Sequence, residues 1–256
     1  MGNLDARNAK LMLHNKDYYE GRIFHSSCDG DIVVIEYKNN CHVLCEFVNT
    51  KNRYVFYLRQ LLKGSCKDRL APKIYGVGYI GVGNYKTTKH RVAYDVWHDM
   101  LRRCYYEPDQ KVANVRYIGC RVSEEWFNFQ VFADWFYANC FTTNMPRIDK
   151  DILGSKTKVY SPQTCCIVPH IINTAVIYET SSNTSGAVGV TMCGDNNFHA
   201  QISKYGKKID LGRFDNIDDA KNHYCQEKKR YLMELAESYK SEILPSVYEA
   251  LNNYCL

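Results

Sequence analysis

The hydrophobic pattern changes period partway along the chain, and that change limits the folds open to it. From about Gly21 to Asp68, short apolar runs alternate with polar residues and break at Asp29-Gly30, Asn39-Asn40 and Asn49 to Asn52. The runs "GRIFHS", "DIVVIEY", "HVLCEFV" and "YVFYLRQLL" predict a small β barrel or meander, because strand side chains alternate between two faces. Past Gly83 the spacing becomes helical. Ala93, Val96, Trp97, Met100, Leu101 and Cys104 recur at one helix face, as do Trp126, Phe129, Phe132, Trp135 and Phe136. Ser123, with Glu124 and Glu125 behind it, marks the start of the second helix.

A third pattern closes the chain. "GVTM", "FHAQIS" and "KKIDLGRF" predict three strands, followed by a helix from about Ile217 to Ser238. Asp215 or Asn216 is placed to cap it, and Ala220, Tyr224, Tyr231, Leu232 and Leu235 form its apolar face. Pro245 and "SVYEALNNYCL" predict a short terminal helix. The fold class expected is therefore α+β and multidomain: a β-rich domain over 1–75, a helical domain over 76–178, and a three-stranded sheet packed on one helix over 179–256. The Ser/Thr/Asn-rich part of "TAVIYETSSNTSG" reads as the linker before the last. "GVGYIGVG", from Gly76 to Gly83, has the form G-x-G-x-x-G, but Pro72 precedes it and no helix opens at its end, so it reads as a connector and not a dinucleotide site.

No apolar run approaches the ~18 residues of a membrane span, and the first residues lack an apolar signal core. The expected compartment is the cytoplasm, that of the host cell if the chain is phage-encoded. The twelve cysteines are scattered, without a Cys-x-x-Cys pair. Reduced thiols are expected; Cys104, Cys120 and Cys140 offer a structural zinc site that spacing does not support, against the alternative of small buried hydrophobes. The net charge of +5 decides little, but its distribution is informative. Between Lys51 and Lys73 seven Lys or Arg stand against the single Asp68, interleaved with Tyr54, Phe56 and Tyr57. Lys51, Arg53, Arg59 and Lys63 are thus candidates for DNA phosphate contacts, the alternative being a solvated face.

The densest chemistry lies in "RIDKDILGSKTKVYSPQTCCIVPHIIN", Arg147 to Asn173. Asp149 and Asp151 alternate in an extended segment, so one of them faces any metal. His170 and Asn173 share a helical turn. A carboxylate on a strand and an amide oxygen on a helix are hard oxygen ligands, suited to Mg²⁺ or a similar divalent ion that also grips a phosphate.

This segment resembles the strand, turn and helix core of HNH (ββα-metal) endonucleases, particularly phage homing enzymes. Those carry an Asp-His pair and a downstream Asn-Leu-x-Trp-Val-Thr-x-x-x-Asn pattern; Asp149-Lys150 stands for the first and "TCCIVPHIIN", Thr164 to Asn173, for the second. "WFNFQVFADWF" is similar to the Trp-x-x-Phe-x-x-Phe helix that precedes this core in many phage proteins. The resemblance implies that Asp149 and Asn173 hold the metal. It also marks two departures: Lys150 occupies the place of the histidine base and Thr164 that of the asparagine that orients it. Lys150 is then a phosphate or transition-state contact, and His170 or His98 a substitute base.

"GVTMCGDNNFHAQISKYGKKIDLGRFDNIDDAKNHY", Gly189 to Tyr224, resembles the APETALA and ethylene-response-factor type of DNA-binding domain. By strand alternation Thr191, Cys193, Gln201, Ser203, Lys208 and Asp210 face outward, and Lys204, Lys207, Lys208 and Arg213 are expected on phosphates. Together the two resemblances imply a phage-type homing endonuclease that cuts double-stranded DNA with a divalent ion. The alternative is a non-catalytic DNA-binding or host-inhibiting protein on a degenerate HNH scaffold, which Lys150 and Thr164 favour.

Overall fold

The computed structural model describes residues 16–106, 117–154, 157–176 and 185–254. The expected boundary at 178/179 and most of the linker around it lie outside those residues. The fold is α+β: an N-terminal four-stranded antiparallel meander, a helical middle, and a C-terminal three-stranded sheet packed on a long helix. It divides into two compact units, one of residues 1–73 and 79–82, the other of residues 74–78 and 83–256.

In the first unit, α1 (Lys16–Tyr19) precedes β1 (Ile23–Ser26), β2 (Gly30–Asn39), β3 (His42–Phe47) and β4 (Arg53–Phe56), paired in sequence order. Every second residue turns inward, so Ile32, Val34, Val43, Cys45 and Phe47 build one core with Tyr19, Leu58 and Leu61. The last expected strand ends early. Residues Leu58–Leu62 form α2, whose first turn is closed by the Gln60 side chain accepting the Tyr57 N–H at 3.0 Å. Its burial comes from Leu58 and Leu61, three apart, a helical and not an alternating spacing.

The second unit opens with α3 (Arg91–Tyr105), β5 (Arg121–Val122) and a 3₁₀ turn (Glu124–Phe127), then α4 (Phe129–Asn139). The aromatic stripe read as one helix is therefore broken at Asn128, which caps α4 by accepting the Gln130 N–H at 3.0 Å. Trp97 and Trp126 are fully buried, and the Trp97 indole N–H donates to the Trp126 carbonyl at 2.7 Å, fixing α3 against the turn. Next come β6 (Pro146–Asp149), β7 (Val159–Tyr160), β8 (Cys166–Pro169) and α5 (His170–Val176). The β6–β8 pair is antiparallel, with Asp149 opposite Cys166, and α5 leaves directly from the end of β8. The result is a ββα unit.

At the C-terminal end β9 (Val190–Met192), β10 (Phe198–Lys204) and β11 (Lys207–Phe214) form a sheet with β10 central, covered by α6 (Ile217–Ser238); α7 (Pro245–Asn252) follows. Asn216 caps α6 by accepting the Asp219 N–H at 2.8 Å. Gly189 has φ +72°, and a Cβ there would overlap the Tyr224 ring, so only glycine lets the first strand approach α6 this closely. The middle and C-terminal segments share one hydrophobic cluster, in which Ile152, Val168 and Ile172 pack with Ile202, Leu232, Leu235 and Val247. Glu242 adds a polar tie, accepting from Thr142 Oγ1 at 2.5 Å and Asn144 Nδ2 at 2.9 Å. The core thus runs through both segments.

Candidate functional site

Asp149 ends β6, and the chain turns immediately after it. Its Oδ1 accepts the backbone N–H groups of Asp151 and Ile152, each at 2.8 Å, which closes the turn. Burial pushes the Asp149 carboxyl above its ordinary value; the two N–H groups pull against that without cancelling it. Ile152 is buried in the shared core, so the turn is anchored at its far side.

This turn forms one wall of a cavity of ≈ 350 Å³ whose lining includes Arg103, Asp149, Lys150, Asp151, Tyr160 and Asn173. Asn173 reaches it from α5, one turn beyond the first residue of that helix. Among the described residues none hydrogen-bonds to the Asn173 side-chain amide. The two residues expected to hold a cation therefore line a common cavity, and both are hard oxygen donors of the kind Mg²⁺ takes when phosphate oxygens and water complete its shell.

Lys150 lies between the two carboxylates in sequence. Its side chain is only 11% exposed, and Nζ stands 2.6 Å from Asp151 Oδ1. Burial alone would lower its pKa, but the Asp151 hydrogen bond and charge win, so Lys150 is held above the ordinary lysine value. It is an ammonium at neutral pH, with the charge to meet an anion and without the free lone pair of a base.

The two other expected catalytic residues stand elsewhere. Thr164 closes the turn between β7 and β8: its hydroxyl donates to the Val159 carbonyl at 2.8 Å and accepts the Ser161 N–H at 3.1 Å. His170 is exposed and lines a different hollow, with Thr174, Ser203, Tyr205 and Tyr231. His98 hydrogen-bonds to the Tyr75 hydroxyl at 3.2 Å. Among the described residues, no histidine lines the cavity of Asp149.

Sequence reasoning passed over Arg103 and Tyr160. Arg103 is on α3, beside the buried stripe that ends at Cys104, and lines the cavity together with Tyr160. A basic residue next to the last buried position of an amphipathic helix was the available signal.

The register of the C-terminal sheet sorts the expected DNA contacts. Thr191 is opposite His199, His199 opposite Arg213, Gln201 opposite Asp210 and Ser203 opposite Lys208. Their side chains share the face turned away from α6, since the intervening Ala200 and Ile202 are buried against it. Lys204 is on the α6 side: Nζ is 3.2 Å from Glu227 and 5.6 Å from the Tyr231 ring centroid. Lys207 is exposed beside it at the hairpin. His199, which alternation had not singled out, donates from Nε2 to Asp210 Oδ1 at 3.0 Å, and its Nδ1 accepts from Gln201 Nε2 at 3.1 Å. The Gly212 N–H and His199 hold the Asp210 carboxyl below its ordinary value.

In the first unit Lys51 and Arg53 both approach Glu46, at 3.8 and 2.8 Å, so part of the basic patch is internally compensated. Arg59 stacks over Tyr57 at 5.2 Å and Lys63 is exposed. Asp68 does not offset this charge at the surface: it is buried and accepts from Thr50, Asn52 and Tyr54.

Cys104 and Cys120 are buried and Cys140 is half-buried. Among the described residues, no three His, Cys, Asp or Glu side chains converge as a metal-ligand cluster. A cation held by one carboxylate and one amide is a site of another kind, because the ligand supplies the remaining oxygens. Among the described residues, no helix is long and apolar enough to cross a membrane. No protein-family model matches the chain, and no curated protein and no solved structure matches it.

Proposed function

We propose that the protein is a DNA endonuclease of the phage homing type, hydrolysing phosphodiesters with a divalent cation, Mg²⁺ by the chemistry of its donors. One observation carries this reading: Asp149, Lys150 and Asn173 line a single cavity within a ββα unit. Oδ1 of Asp149 is engaged by the turn, which orients the carboxylate and presents its other oxygen for the cation; Asn173 adds an amide oxygen from the helix. Bound there, the cation would polarise the scissile phosphate. Lys150, held charged by Asp151, neutralises the charge that builds on the phosphoryl oxygens. The outer face of the C-terminal sheet, with Gln201, Ser203, Lys208 and Arg213, supplies the contact to double-stranded DNA. A plasmid-nicking assay with Mg²⁺ or Mn²⁺ tests it: wild type is expected to cut and Asp149→Ala is not.

A second reading has its own support. No histidine among the described residues lines the cavity, and Thr164 is committed to a turn, so none of the described residues is placed to activate water in the manner of the family it resembles. On this reading the protein binds DNA, or blocks a host protein that does, without cutting. DNA binding that survives Asp149→Ala, with no nicking by either form, selects it.

A further inference from the structure

Arg103 projects from α3 into the cavity of Asp149 and Asn173, and nothing in the ββα unit requires a cation there. Its guanidinium carries five N–H donors in a planar fork. Tyr160 lines the cavity beside it, and Tyr117 offers an aromatic face 5.5 Å from the guanidinium carbon. Neither is a carboxylate. Among the described residues, no carboxylate lies within ion-pair distance of Arg103; the α3 acid Asp99, which pairs with Arg102 at 3.6 Å, acts on it only from farther off. Of the two carboxylates lining the same cavity, Asp151 is bound by Lys150 and Asp149 by the backbone of its turn. A half-buried guanidinium left without a counter-charge is costly unless a ligand supplies one.

We propose that Arg103 is the phosphate-gripping residue of this cavity, its fork taking two non-bridging oxygens of a nucleic-acid backbone phosphate. The carrier of the phosphate rests on the nucleic-acid reading above; the anion subsite itself does not. Arg103 and Lys150 meet the phosphate from separate elements, α3 and the turn after β6. The planar fork matches a tetrahedral phosphate in a way that the single ammonium of Lys150 does not. The Tyr117 ring, 5.5 Å from the guanidinium carbon, restricts the side chain before the ligand arrives, which limits the entropy lost on binding.

The test is titration of inorganic phosphate into the full chain at constant ionic strength, without divalent cation, following the ³¹P line width. The wild type is expected to broaden the signal, and a short DNA duplex to restore the narrow line by displacement. Arg103→Gln should weaken phosphate binding about tenfold or more, as loss of charge-assisted hydrogen bonds implies. Arg103→Lys, which keeps the charge and loses the fork, should fall between. Arg102→Gln, on the exposed side of α3, should bind as wild type does. If Arg103→Gln does not fold by circular dichroism, the Lys variant decides. No broadening by wild type, equal loss in Arg102→Gln, wild-type binding in Arg103→Lys, or failure of duplex to displace phosphate would each overturn the proposal. None of these outcomes depends on whether the protein cuts DNA, so the nicking assay fails or succeeds separately.

Discussion

The backbone N–H of Ile152 donates to Asp149 Oδ1 at 2.8 Å, so the carboxylate expected to hold a cation is also the group that closes its own turn. The two roles separate by substitution. Asp149→Asn keeps an oxygen acceptor for the turn and removes a charge that burial disfavours. Since the folded-state pKa is raised, the ionised form works against folding above that pKa, and stability rises as pH falls through it toward the unfolded value. Asp149→Asn is therefore expected to match or exceed wild type in thermal midpoint at pH 7 without divalent ion. Its advantage should vanish by about pH 4. Asp149→Ala should instead lose about 1–2 kcal/mol with its two hydrogen bonds. Mg²⁺ should raise the midpoint of wild type and of neither variant.

Lys150 is expected to act through its charge. Replacement by Gln should reduce nicking about a hundredfold while leaving the fold intact, as loss of a charge-assisted contact to the transition state does. Lys150→Arg should recover part of it. Unchanged nicking by Lys150→Gln would remove this residue from the mechanism.

Thr164 stands where the resemblance puts the water-orienting asparagine, and His170 is the substitute base; Thr164 is committed to a turn and His170 lines a separate hollow. Thr164→Ala should lower stability by about 1 kcal/mol through the loss of its turn hydrogen bonds, read by urea denaturation. His170→Ala, in a separate hollow, should leave nicking unchanged. A cleavage loss of tenfold or more in a well-folded His170→Ala protein would place the histidine at the reacting phosphate after all.

Lys204 and Lys208 differ in the face they occupy. Lys208→Ala should weaken DNA binding and reduce the slope of log affinity against log salt by about one. Lys204→Ala should leave that slope unchanged and cost about 1 kcal/mol of stability, since it breaks a mostly shielded pair with Glu227. Fluorescence anisotropy over a salt series, with a thermal melt of each variant, distinguishes the two.

Asp68 should make the first unit acid-sensitive. Burial alone would raise its pKa, but hydrogen bonds from Thr50, Tyr54, Asn52 and the Leu70 N–H outweigh burial and hold it below the ordinary value. A depressed folded pKa gives stability that is present above the unfolded value, about 4, and lost as pH falls through the folded one. Asp68→Ala leaves several donors without an acceptor and should cost about 3 kcal/mol at pH 7, with a flatter dependence of stability on pH below 4.

The elements of this protein were legible from the chain because they depend on local periodicity. Alternation located the four strands of the meander, three-to-four spacing located α3 and α6, and the same alternation turned Thr191, Gln201, Ser203 and Lys208 outward. Where local signals competed, packing decided: Leu58 and Leu61 bury a helical face at the end of a run rich in strand formers, and the Asn128 cap splits the aromatic stripe. Motif order brought Asp149, Lys150 and Asn173 to attention, because the ββα unit is contiguous in sequence. The cavity itself was not legible. Its walls come from α3, the β6 turn, α5 and Tyr254 near the end of the chain, and Arg103 joins Asp149 and Asn173 there only because distant segments pack together. Sequence determines which side chains a strand or helix presents; only the packing of those elements determines which charges are left to meet one another.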